Sequence, residues 1–144
     1  MTKMVDIGEK DQVKRKSRAT GFIKLESKSI EKIKSDDVKK GDVLSVAQTA
    51  GILAVKNTPN IIPLTHPIPI TGVDIEFEFE DEGIRATIRV ESKGQTGVEM
   101  EALTGLMSTL LTIWDMVKGY EKDEKGQYPD TRIEDIKVLE KVKE

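Results

Sequence analysis

Between Val73 and Phe79 apolar and acidic residues alternate without a break: Val73, Ile75, Phe77 and Phe79 against Asp74, Glu76 and Glu78. The same period returns in Ile84, Ala86, Ile88 and Val90, and Asp81-Glu82-Gly83 between the two runs is turn chemistry. Successive side chains of a strand point to opposite faces, so the pattern predicts an antiparallel hairpin with one wet face. Residues 19–25 alternate more loosely and predict another strand. Residues 29–36 read as a short helix. Residues 42–56 read as a longer one, with Gly41 breaking the preceding segment, Asp42 as its cap and Thr58-Pro59 after its end. One face of that helix carries Ala47, Ala50, Gly51 and Ala54, small residues that let another backbone come close. Residues 97–118 form the longest predicted helix. Thr96-Gly97-Val98-Glu99 fits a capping box at its start, and Gly119 stands where a left-handed cap belongs. After a polar loop at 121–131, residues 132–140 read as a last strand.

The stretch Ile61–Ile70 holds Pro63, Pro67 and Pro69, which forbid a regular helix and a central strand. It predicts a stiff extended connector that locks His66 between Thr65 and Pro67. Strands, helices and hairpin in this order predict one α+β domain over residues 1–144, with helices on one face of an antiparallel sheet. Residues 1–12 and 142–144 are expected to be mobile ends.

The chain has 144 residues, enough to bury a core without a disulfide or a metal. It contains no cysteine, which excludes disulfide scaffolds, thiolate metal sites and thiol nucleophiles. With 23 Lys and Arg against 26 Asp and Glu, the net charge is −3, whereas nucleic-acid binders usually carry a basic excess. No run approaches the ~20 apolar residues of a membrane span, and no signal-peptide pattern opens the chain. A cytoplasmic protein that binds neither nucleic acid nor membrane is the expectation. Charged residues make up 34%, a surface compatible with a heat-adapted source.

Few residues offer chemistry. His66 is the one histidine, whose unperturbed imidazole titrates near neutral pH. Its rigid segment can aim it at a pocket, although a lone histidine is often structural. One histidine and no cysteine argue against a transition-metal site. Glu99 and Glu101 lie in the first turn of the long helix, where capping and the helix dipole already explain acidic residues. Asp115 and Lys118 are three residues apart on one helix face. They read either as a surface ion pair or as an acid and a base, each shifted by the other. Ile113, Trp114, Met116 and Val117 crowd around Asp115 in the sequence and would desolvate it in part. Lys40, just before Gly41-Asp42, stands near a helix start where a cation and free backbone N–H groups suit a phosphate, although on local grounds it reads first as one of many surface lysines. The basic run Lys14-Arg-Lys-Ser-Arg18 is by default a solvated face, though Arg15 or Arg18 could clamp phosphate. Gly94-Gln-Thr-Gly97 lacks the patterns of a P-loop and of a dinucleotide turn.

Glu101 and Asp115 share a helix face but stand ~21 Å apart along it, at ~1.5 Å per residue. No small molecule joins both ends of one straight helix. A site that uses both must combine two chains, for instance antiparallel copies about a two-fold axis.

Five stretches carry a resemblance: Met4-Val-Asp-Ile7, Lys40-Gly-Asp-Val43, Ile62-Pro-Leu-Thr-His-Pro67, Thr96-Gly-Val-Glu-Met-Glu-Ala-Leu103 and Leu111-Thr-Ile-Trp-Asp-Met116. The chain resembles the cyclic pyranopterin monophosphate synthases, the molybdenum cofactor biosynthesis C proteins, from about residue 4 to residue 141. The resemblance implies a ferredoxin-like fold and a hexamer built as a trimer of dimers, with the active site between subunits. It implies a lyase acting on (8S)-3′,8-cyclo-7,8-dihydroguanosine 5′-triphosphate. The implied reaction rearranges the guanine-derived rings, closes a cyclic phosphate and expels pyrophosphate, without flavin or nicotinamide. Asp115 falls on the family's catalytic aspartate, Lys118 on its partner lysine and Lys40 on a lysine tied to activity. Leu64, Thr65 and His66 fall on one substrate-binding segment, and Met100 with Glu101 on another, Glu99 beside them. Arg15 falls on a triphosphate-binding arginine, and Lys141 on the lysine that opens the family's usual glycine-containing tail. Three positions depart from the pattern: Thr65 stands where many members have Cys, Gln95 where many have Lys or Arg, and the tail Lys141-Val-Lys-Glu144 has no glycine. A non-catalytic protein that keeps the scaffold and binds a purine triphosphate is the alternative.

Overall fold

The computed structural model describes residues 1–144. The hairpin forms where the alternation places it. β2 (Ile70–Glu80) and β3 (Gly83–Gly94) pair antiparallel, with Glu80 opposite Gly83 and Asp81-Glu82 making the turn. β1 (Val13–Lys24) lies on the other side of β3, and β4 (Arg132–Lys143) on the other side of β1. The four-stranded sheet thus runs β2-β3-β1-β4, every neighbour antiparallel. Helices α1 (Ser27–Lys34), α2 (Val43–Lys56) and α3 (Thr58–Ile61) connect β1 to β2, and α4 (Glu99–Glu121) connects β3 to β4. This is a ferredoxin-like α+β sandwich with helices packed on one face of the sheet.

The covered face is built from Ala19 and Ile23 of β1 and Ile84, Ala86, Ile88 and Val90 of β3. Against them α4 lays Ala102, Leu106, Leu110, Ile113 and Val117, spaced at three and four residues as one helix stripe requires. The small-residue face of α2 meets α4, as its composition predicts. A side chain at Gly51 would stand 3.2 Å from the Gly105 carbonyl, and one at Gly105 would stand 3.1 Å from the Gly51 carbonyl, so the two glycines let the helices cross backbone to backbone. The opposite face of the sheet stays polar. Asp74 pairs with Arg89 across the hairpin, and Glu80 bonds Arg85 at 2.8 Å.

Several boundaries differ from the sequence expectation. β1 starts at Val13 rather than near residue 19, because the basic run belongs to it. Arg15 and Ser17 point to the covered face and are buried, and inward polar residues erase the apolar alternation that marks a strand. β4 carries two register shifts against β1 and runs to Lys143, so Val142 and Lys143 are strand residues and Glu144 donates its N–H to the Lys14 carbonyl. The expected capping box does not form. Val98 is the residue before the helix, no side chain caps it, and Glu99 turns instead toward β1 and β4. Gly119 does not end α4; the glycines with positive φ are Gly41 and Gly126. Burial carries the helix on to Glu121, whose carboxylate accepts hydrogen bonds from Glu26 N–H, Ser29 Oγ and Thr131 Oγ1. The proline-rich connector begins with the short α3 and a turn at Thr65, and only residues 66–69 have no regular structure.

Candidate active site

The C-terminal half of α4 presents Asp115 on its outer side. Lys118, one turn later, places Nζ 3.0 Å from Asp115 Oδ1. Lys40 arrives from the loop between α1 and α2, with Nζ 3.3 Å from Asp115 Oδ2 and 2.9 Å from its backbone carbonyl. Gly41, at φ 116°, makes the turn that frees Lys40 from α2. Asp42 caps α2 as predicted, accepting from Ser45 N–H at 3.2 Å. That carboxylate fills the helix start that could have suited a phosphate, and Lys40 turns to Asp115.

The expected desolvation of Asp115 is absent within one chain. Ile113, Met116 and Val117 point into the core, away from the carboxylate, and the Asp115 side chain is 55% exposed. Hydrogen bonds from Lys118 and then Lys40 hold its carboxyl below the usual carboxylate range. Donating that bond to Asp115 raises the Lys118 ammonium above the ordinary lysine range. In the isolated chain the pair is therefore pushed further into its charged forms, not toward neutrality.

The other end of α4 is concave. A cavity of about 200 Å³ lies between the connector and the helix start. Leu64, Thr65 and His66 line one side; Thr96, Glu99, Met100 and Glu101 line the other. Glu101 is only 3% exposed. Burial pushes its carboxyl above the ordinary glutamate range, its own backbone N–H opposes that shift, and the neighbouring Glu99 charge adds to it. Thr65 Oγ1 donates to the Ile62 carbonyl at 2.8 Å, so the hydroxyl at this departure from the family pattern serves the connector's own turn.

β1 and β4 bring cations to this same end. Lys141 Nζ lies 3.2 Å from Glu99 Oε2, and Ser17 Oγ donates to Glu99 Oε1 at 3.4 Å. Arg15 is buried and donates from Nε to the Gly94 carbonyl at 3.2 Å. It also lines a second cleft of about 420 Å³ with Lys14, Lys16 and Lys93. Gln95, a second departure, donates from Nε2 to the Lys10 carbonyl at 3.0 Å and so fastens the segment before β1.

The expected residues thus fall into two groups. Lys40, Asp115 and Lys118 meet at one end of α4. Leu64, Thr65, His66, Glu99, Met100, Glu101 and Lys141 gather at the other, with Arg15 on the strand beside them. Between the groups runs an exposed apolar stripe of Met100, Met107 and Leu111, continued at the same helical spacing by Asp115 and Lys118. Local spacing did not show the contact from Lys40 to Asp115, because a separation of 75 residues leaves no periodic trace.

A family model described as "MoaC family" matches residues 4–143. The chain is 64% identical over 141 residues to a protein of Thermococcus kodakarensis named "Probable cyclic pyranopterin monophosphate synthase", covering 98% of this chain and 90% of that protein. It is 61% identical over 141 residues to the protein of the same name from Pyrococcus abyssi, covering 98% and 89%. A counterpart from Archaeoglobus fulgidus, also so named, is 57% identical over 141 residues, covering 98% and 90%. With the fold, the motifs and these matches in agreement from end to end, the chain belongs to the MoaC family.

Proposed function

We propose that this chain is a cyclic pyranopterin monophosphate synthase of molybdenum cofactor biosynthesis. Its substrate is (8S)-3′,8-cyclo-7,8-dihydroguanosine 5′-triphosphate, and its products are cyclic pyranopterin monophosphate and pyrophosphate. One observation supports the reading most: the residues to which the family resemblance assigns substrate binding and those to which it assigns catalysis lie at opposite ends of α4, with an exposed apolar stripe between them.

A second copy of α4 packed antiparallel on that stripe brings the two groups together. Two-fold symmetry then generates a site at each end of the seam. Met100, Met107 and Leu111, at 43%, 42% and 61% exposure, gain a partner in the same step. Three such dimers make the hexamer that the family resemblance implies. No helix is long and apolar enough to cross a membrane, and a cytoplasmic site of action accords with that.

The division of labour follows from charge. A triphosphate carries about four negative charges near neutral pH, and Arg15 with nearby lysines offsets them and the charge that develops on departing pyrophosphate. The cavity beside His66 and Glu101 receives the purine-derived rings. Closure of the cyclic phosphate forms a bond from a ribose oxygen to the α-phosphorus and breaks the bond from that phosphorus to the bridging oxygen of pyrophosphate. Ring opening and reclosure need repeated proton transfers. The Asp115 carboxylate accepts protons, and the Lys118 and Lys40 ammoniums donate them or stabilise developing negative charge. Enclosure by a second subunit removes water from Asp115 and draws its pKa back toward neutrality, which the isolated chain does not do.

The test is incubation of the protein with the cyclised guanosine triphosphate. Formation of the tricyclic product with one pyrophosphate per turnover is the expected result. Tight binding of the triphosphate without pyrophosphate release would instead identify a non-catalytic binding protein.

A further inference from the structure

Two adjacent residues at the end of α4 fasten both ends of the segment that delivers Lys40. The buried Glu121 carboxylate holds the start of α1 through Glu26 N–H and Ser29 Oγ. Tyr120 holds its far end: the phenol oxygen accepts the Lys39 N–H at 2.9 Å. Val38 is buried in the core just before, and Gly41 turns the chain just after. The backbone on either side of Lys40 is thus fixed to the helix that carries Asp115, five residues before Tyr120. The Tyr120 ring has its own support from Lys32 Nζ, 5.0 Å from the ring centroid, so the hydroxyl is free to serve the loop.

We infer that Tyr120 is a positioning residue for the reaction, its hydroxyl setting the register in which Lys40 Nζ meets Asp115. The inference rests on the functional reading above, in which Lys40 and Asp115 act on substrate. A lysine has four rotatable side-chain bonds and a strongly hydrated head, so its anchoring backbone decides how often Nζ reaches its partner. Losing one bond at that anchor costs little fold stability and much geometric precision.

Tyr120→Phe removes the hydroxyl and keeps the ring over which Lys32 sits. In the assembled enzyme kcat is expected to fall about tenfold, with KM changed less than about twofold and Tm within about 3 °C. The acid limb of the kcat–pH profile moves to higher pH, because a displaced Lys40 no longer holds the Asp115 carboxyl down. In a Lys40→Ala background the same substitution changes kcat less than about twofold, since Tyr120 acts only through Lys40. If Lys40→Ala lowers kcat while Tyr120→Phe leaves it untouched, or multiplies its own loss onto it, the positioning role is overturned and the site stands. If Lys40→Ala itself leaves kcat intact, both the site and the positioning role fall.

Discussion

The two ends of α4 carry similar side chains in opposite surroundings. At the start of the helix, Glu101 is buried beside the connector, and its carboxyl is pushed up by loss of water. At the far end, Asp115 stands in solvent between two ammoniums, and its carboxyl is pulled down. The first end has a cavity and half-buried His66 but lacks the Asp115–Lys118 pair; the second has that pair with Lys40 and stands open. Under the proposed function, a cavity at one end and the Asp115–Lys118–Lys40 cluster at the other are complementary. The exposed apolar residues Met107 and Leu111 lie between them, on the face that the proposed two-fold packing would cover.

Breaking the open end has the largest effect. Asp115→Asn keeps the shape and removes the base, so turnover drops about a thousandfold while a triphosphate analogue still binds, as calorimetry with the analogue will show. Breaking the seam comes next. Leu111→Glu puts a charge in the middle of the stripe; the assembly dissociates on ultracentrifugation, and activity goes with it while the far-ultraviolet circular dichroism of the fold persists. Lys40→Ala follows, with activity down well over tenfold and folding unchanged. A loss confined to thermal stability would make Lys40 structural.

The closed end gives the smallest effect, one of pH dependence. Because the folded-state pKa of Glu101 is raised, the fold binds its proton more tightly than the unfolded chain does. This contribution to stability is then fully present below the ordinary glutamate range and is lost as pH rises from it through the raised folded-state value. Glu101→Gln does not titrate, so this part of the decline disappears. Thermal melts of mutant and parent will differ in slope from the ordinary glutamate range up to the raised folded-state value, and little below that range.

How much of this was legible in the sequence differs between the same two regions. The hairpin was plain because Val73–Phe79 and Ile84–Val90 each alternate cleanly, and the small face of α2 was plain because Ala47, Ala50, Gly51 and Ala54 recur at three- and four-residue spacing, though not that Gly51 meets Gly105. The start of β1 was hidden because Arg15 and Ser17 are polar yet face inward, bonding the Gly94 carbonyl and the Glu99 carboxylate. Local rules ended α4 at Gly119 because they see a glycine and not the bonds that Glu121 makes from Ser29 to Thr131. The connector's residues could be named from its three prolines and its motif, but not the cavity they make with Thr96 and Met100, since that needs the helix start to pack against them. At the open end, Asp115 and Lys118 were legible by helical spacing. Lys40 could be marked as a cation beside a helix start and by the family's motif, but not as a partner of Asp115, because the loop that carries it is placed by tertiary bonds at Glu121 and Tyr120.

Subunit mixing tests most directly whether each site is shared between copies. Asp115→Asn and His66→Ala each damage a different half, and co-expression at equal levels yields mixed dimers as half of the total. In a mixed dimer one of the two sites keeps both intact halves, so activity returns to about a quarter of the unmutated level. Activity that stays at the level of the two separate variants would place both halves in one chain and contradict the account.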